Sequence, residues 1–238
     1  MIIWTMQPKA EFERQIRETG VCHEITYLDE QTEFPKAYDF LTEEMKKRVG
    51  LPPSGVRYPA WGYQMWEPKR PRPDIRWLRW NWGPSDMEHV RVELDVPDDQ
   101  VLLLDDYAFP MLLNDWLISD SEAECDSLHK QYGQLSSEMQ EQMKKENWWR
   151  VFDITPGGDP DWRGKGESIA ACIWEIRKEW IRKIDTFYSR TRIADQVVDT
   201  AGNPEEYTRL ISARMATSYK EDLLWRRIKK ISREIIQE

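Results

Sequence analysis

Apolar and polar residues alternate in some stretches of this chain and recur at helical spacing in others, so strands and helices are both expected. The clearest alternation sets Val90, Val92, Leu94 and Val96 against Arg91, Glu93 and Asp95, which predicts a half-buried strand. Ile2 to Gln7, stopped by Pro8, reads as a first strand. Val101 to Leu104 and Ile169 to Ile176 are continuous apolar runs and predict buried strands. The aromatic stretch Val56 to Trp66 is strand-like, with Pro59 and Gly62 marking an edge or an irregularity. Ile75 to Trp82 is expected as a further strand, with Leu78, Trp80 and Trp82 on one face and Ile75, Trp77 and Arg79 on the other. Trp180 to Phe187 continues as a strand or a short helix.

Helical spacing appears between these runs. Phe12 and Ile16 stand one turn apart in Lys9 to Glu18, and Gly20 closes that segment. Lys36 to Val49 carries Ala37, Phe40, Leu41 and Met45 on one face before Gly50 and Pro52-Pro53 end it. Further helices are expected from Asp105-Asp106 to about Ile118, from Ser121 to Tyr132 and from Ser136 to Asn147. Asp153 to Gly166 is turn-rich. Pro204 to Glu238 repeats apolar residues at helical spacing, Tyr207, Leu210, Ile211 and Met215 among them. The reading is therefore α+β: a mixed, mostly antiparallel sheet with surrounding helices over residues 1–190, and a helical C-terminal extension over 191–238 that packs on it and offers a protein-partner contact through 204–238.

Composition narrows the function classes. A chain of 238 residues with 40% hydrophobic and 32% charged residues has enough apolar material for one core. The net charge of −9 opposes indiscriminate attraction to nucleic acid, while leaving room for a local basic patch. Cys22, Cys125 and Cys172 stand far apart, which suggests no disulfide framework and fits a reducing, cytoplasmic setting. The N-terminal residues lack the pattern of a signal peptide, and no run reaches the roughly 18 apolar residues of a spanning helix. His23, His89 and His129 are scattered, so no metal site is expected.

Thirteen tryptophans are the unusual feature. Most serve as core, yet an indole can also stack on a planar ring. Lys69, Arg70, Arg72, Arg76 and Arg79 interleave with Trp77, Trp80 and Trp82, a composition suited to phosphate contact and base stacking. A second basic run, Arg226 to Arg233, reads as a solvated helix face. Glu175 is the most informative acid, because it sits in the apolar run IAACIWEI. Alternation either turns it to solvent or, with Ile169, Ala171 and Ile173 beside it, sets it in a cleft. Thr5 and Gln7 share one face of the first strand, and Trp4 occupies the other.

The opening I-x-W-T-x-Q-P, the Tyr58-Pro59-x-Trp61 stretch, V-P-D-D-x-V-L-L from Val96 and the I-W-E-I motif resemble a bacterial family of domains of unknown function, over roughly residues 1–190. A weaker resemblance is to the ADP-ribosyltransferase fold, in which an early polar strand, an aromatic strand and a late glutamate occur in this order. That resemblance implies NAD as co-substrate, Glu175 as the catalytic carboxylate, and Trp4, Thr5, Gln7, Tyr58 and Trp61 around the nicotinamide. It also implies a macromolecular acceptor, either protein or nucleic acid. Ile173 stands where the arginine-modifying members carry an acid. The alternative expectation is a non-catalytic nucleic-acid-binding or protein-interaction module that uses Lys69 to Trp82.

Overall fold

A computed structural model describes residues 1–23, 34–83, 86–159 and 161–190. The expected C-terminal helices, with Arg226 to Arg233, lie outside the described residues. Strands β1 (Ile2–Pro8), β3 (Ala60–Met65), β4 (Glu88–Asp95), β5 (Leu102–Asp105), β6 (Ile169–Ile173) and β8 (Ile181–Tyr188) form one sheet in the order β5-β6-β3-β1-β4-β8. Every pairing in it is antiparallel. β2 (Val21–Cys22) and β7 (Ile176–Arg177) make a separate two-stranded pair. The helices are α1 (Lys9–Thr19), α2 (Pro35–Arg48), α3 (Ile75–Asn81), α4 (Phe109–Leu113), α5 (Glu122–Tyr132) and α6 (Ser137–Trp148). The protein is α+β, as the patterns predict.

Register decides what each face carries. Ile3 pairs with Leu94, Thr5 with Val92 and Gln7 with Val90, so these six side chains share one face. There Ile3, Val90, Val92, Leu94, Ala171 and Ile173 bury against Phe12 of α1, Cys22 and Ile176. On the opposite face, Leu102, Leu104, Ala170 and Cys172 pack beneath α2, α4 and Trp148. At its other end that face packs Met6 and Phe187 against Leu78 of α3. Gly62 permits the closest strand approach: a Cβ there would stand 2.8 Å from the Trp4 carbonyl oxygen.

Five local expectations are corrected. Residues 75–81 are helical, because Asp74 caps them by accepting a hydrogen bond from the Arg76 N–H at 2.9 Å. The run from Ile169 stops at Ile173: the Trp174 indole donates to the Gly50 carbonyl at 2.8 Å, and the chain turns to pair Ile176 with Cys22. The helix expected from Asp105 to Ile118 is only α4, since Asp105 is the last residue of β5. The aromatic strand begins at Ala60, past Pro59, rather than at Val56. Trp180 ends a short 3-10 turn and the strand starts at Ile181.

His89 is fully buried in β4 and stacks on Phe187 with ring centroids 5.4 Å apart. Burial lowers its pKa from the ordinary 6.5, opposed in part by the Met87 backbone. The unfolded chain therefore takes up this proton near pH 6.5, whereas the folded chain takes it up only at lower pH. The contribution of His89 is therefore full above pH 6.5 and is lost as the solution is acidified below it. Urea midpoints of the native chain and of His89→Leu, compared at pH 7 and pH 5, should shift in the variant's favour at pH 5, because every other titrating group is common to both.

Candidate functional site

The residues assigned to a nicotinamide site meet only in part. Thr5 and Gln7 are each 1% exposed. The Thr5 hydroxyl donates to the Trp61 carbonyl at 2.6 Å and accepts from the Gln7 amide at 2.9 Å. These groups tie strands together beneath α1. Trp4 lies on the other face, and its indole donates to Glu93 at 3.2 Å. Trp61 packs on Phe109, with centroids 4.6 Å apart, and on Tyr38, which also meets Tyr58 at 5.5 Å. The sheet thus separates the expected polar pair, Thr5 and Gln7, from the aromatic side chains of Trp4 and Trp61.

Glu175 follows the end of β6 and is not an interior strand position. Its carboxylate accepts from Arg177 Nε at 2.7 Å and faces His23 Nε2 at 3.5 Å. It borders a depression with Arg14, Gln15, Glu18 and Thr19 of α1. Two basic neighbours, rather than an enclosing apolar cleft, explain how a carboxylate is tolerated after so apolar a run.

A network missed in the sequence lies at the end of β5. Asp105 is fully buried; it accepts from the N–H groups of Ala108 at 2.9 Å and Gly166 at 2.8 Å, and pairs with Arg163 at 3.1 Å. Arg163 also binds Asp120, which pairs with Arg150 at 2.9 Å and Lys165 at 3.3 Å. Burial pushes the Asp120 pKa up, but Arg163 and Arg150 outweigh it and hold the carboxyl at about 2. These contacts staple the loop before β6 to the segment before α5. The doublet Asp105-Asp106 after three leucines was the available signal, since acids closing a buried strand need partners.

The basic cluster does come together. Glu67 and Arg70 exchange backbone hydrogen bonds at 3.1 and 2.9 Å, making a tight turn that presents Lys69. Buried Arg91 holds the next segment: its guanidinium donates to the Pro73 carbonyl and pairs with Asp185 at 2.5 Å. Arg70, Arg72, Asp74, Arg76 and Arg91 line a surface hollow. Asp74 is held at a pKa of about 2, chiefly by its hydrogen bond from Arg76, and Arg70 lies 3.5 Å away. Lys69, Arg72 and Arg79 are exposed and make no ion pair among the described residues. At the far end of α3, Trp80 is 42% exposed, and the Arg190 guanidinium lies 5.8 Å from its ring centroid.

Asp106 bears on stability. The Ser168 hydroxyl donates to it at 3.0 Å, yet burial and then the neighbouring Asp105 charge push its pKa up to about 6, from an ordinary 3.8. The unfolded chain loses this proton near pH 3.8 and the folded chain only near 6, so the group removes stability as pH rises through that window. Asp106→Asn keeps an acceptor for Ser168. It is expected to raise unfolding free energy at pH 7 by up to about 3 kcal/mol, with little change at pH 4, measured by urea unfolding.

Among the described residues no helix is long and apolar enough to cross a membrane, and no group of three or more His, Cys, Asp or Glu is placed to hold a metal ion. No curated protein and no solved structure matches the chain. Residues 2–182 match a family model described as Domain of unknown function (DUF3841). With most of its 238 residues inside that match, the chain belongs to the DUF3841 family.

Proposed function

We propose that this domain is a non-catalytic nucleic-acid-binding module whose contact surface is the basic face from Lys69 to Trp80. The observation that carries the reading is a local excess of cations. Residues 67–80 contain Lys69, Arg70, Arg72, Arg76 and Arg79 against only Glu67 and Asp74. Asp74 is already engaged by Arg76 and Arg70, which leaves Lys69, Arg72 and Arg79 to meet an outside anion. Guanidinium groups suit phosphate oxygens, because their planar N–H fork donates two parallel hydrogen bonds. The chain's net charge of −9 makes long-range attraction weak, so affinity has to come from this face at short range and must fall with added salt.

The face is also rigid, which limits the ordering cost of binding. Pro71 and Pro73 restrict the backbone, the Trp66 N–H donates to the Pro71 carbonyl at 2.8 Å, and Arg91 fixes Pro73. Anisotropy titration of a labelled 20-nucleotide oligomer at about 50 mM salt should detect binding that weakens steeply as salt rises. The double variant Arg72→Glu/Arg79→Glu is expected to lose at least about tenfold in affinity. Its log-affinity against log-salt slope should be shallower by roughly one unit or more, since each phosphate contact contributes about 0.7 to 0.9. Unchanged affinity and slope in that variant would remove the proposal.

A further inference from the structure

We infer that the nucleic acid bound is single-stranded and that Trp80, backed by Arg190, is the platform on which a base stacks; this rests on the basic-face reading above. Helical geometry places the parts. At 100° per residue, Arg76, Arg79 and Trp80 fall within one outward stripe of α3, and Leu78 lies on the opposite side. The exposures agree: Leu78 is 0% exposed, while Arg76, Arg79 and Trp80 are open to solvent. The neighbouring aromatics are engaged inside. Trp66 meets Trp77 with centroids 5.3 Å apart and Tyr63 at 4.5 Å, and Trp82 packs against the Leu78 cluster. Trp80 alone of this group presents its indole at the end of the row of unpaired cations.

Arg190 is positioned for the same task. Its N–H donates to the Arg79 carbonyl at 2.8 Å, and Ser189 before it is tied to Met87 and Asp86 by hydrogen bonds of 3.1 and 3.0 Å. The guanidinium over the indole therefore belongs to an anchored backbone. It adds a sixth cation to the face, beside the one ring able to stack.

This arrangement discriminates between nucleic-acid forms. In a duplex the flat faces of the bases are already stacked, so an aromatic platform has nothing to hold, whereas a splayed strand offers both phosphates and ring faces. Duplex readout instead needs an element that enters the major groove, about 12 Å wide. α3 has seven residues and lies against the sheet through Leu78, which leaves no protruding rod to insert. A row of cations that ends in one open indole matches a single strand's repeating phosphate and base.

The experiment compares the full chain with Trp80→Ala and Trp80→Leu against a labelled single-stranded 20-mer and a hairpin duplex of the same sequence, at one salt concentration. The native protein is expected to prefer the single strand by at least about tenfold. Trp80→Ala should lose most of that preference, about tenfold or more in single-strand affinity, with duplex affinity and the salt slope unchanged because no charge is removed. Trp80→Leu keeps apolar area and helix propensity without the π face, so it should fall in the same way; circular dichroism confirms that both variants fold. Equal weakening for both nucleic acids, no weakening, or phosphatidylserine vesicles or polyglutamate bound as tightly as the single strand would overturn the inference. Should Arg72→Glu/Arg79→Glu still abolish binding in those cases, only the stacking claim has failed. If that charge reversal has no effect, the basic-face reading itself has fallen.

Discussion

The structure depends on one constraint, namely that its antiparallel sheet is covered on both faces around β6. A sheet with one wet face alternates apolar and polar residues, whereas one covered on both sides must make nearly every interior position apolar or satisfied. All five residues of β6 are buried, and small side chains at Ala170 and Ala171 admit layers above and below. β1 feels the same demand. Its Thr5 and Gln7 side chains, both buried, close on each other and on the Trp61 carbonyl. Asp105 meets the demand with an arginine and backbone donors. Polar residues that read as ligand-binding in a half-open sheet become internal fastenings in a doubly covered one.

The same constraint creates the basic face. Met6 and Phe187 need a lid, and α3 supplies one through Leu78, with Ile75, Trp77 and Trp82 packed around it. As a helix, residues 75–81 can point their large apolar groups inward while sending both arginines and Trp80 outward. A strand would have put Leu78 and Trp80 on one face. The sheet reaches the loop before α3 directly, because Arg91 belongs to β4 and binds the Pro73 carbonyl. A buried guanidinium that Asp185 neutralises thus serves to hold exposed charges in place.

Legibility in the sequence follows from how local each cause is. Val90 to Val96 could be read because alternation needs only neighbouring residues, and α5 and α6 because Ser121 and Ser136 cap them locally, accepting from the N–H groups of Glu124 and Met139. Residues 75–82 misled, since tryptophans and arginines fit either period. Asp74 was the discriminating residue, a cap following a proline. Glu175 misled for a different reason: the bend at Trp174 is set by the Gly50 carbonyl, 124 residues away, and no periodicity reports that. The cations from Lys69 to Arg79 were visible as a cluster because they are close in sequence, but which of them lack carboxylate partners is a fact of three dimensions.

Tryptophan abundance does not distinguish this face, for Trp116 and Trp149 are also exposed, at 55% and 45%. The difference lies in the charges around them. Beside Trp149, Arg48 approaches the ring to 4.9 Å, but Arg48 and Lys47 both pair with Glu44, at 3.3 and 2.8 Å. Near Trp116, Lys144 is bound by Asp115 at 2.6 Å. Those cations are neutralised within the fold, so an incoming phosphate would have to displace a carboxylate and leave it unpaired. Along the face that ends in Trp80, Asp74 already serves Arg76 and Arg70, while Arg72, Arg79 and Lys69 make no ion pair among the described residues. An exposed indole beside paired charges is surface packing; an exposed indole beside unpaired arginines is a surface able to hold a phosphate and a ring together.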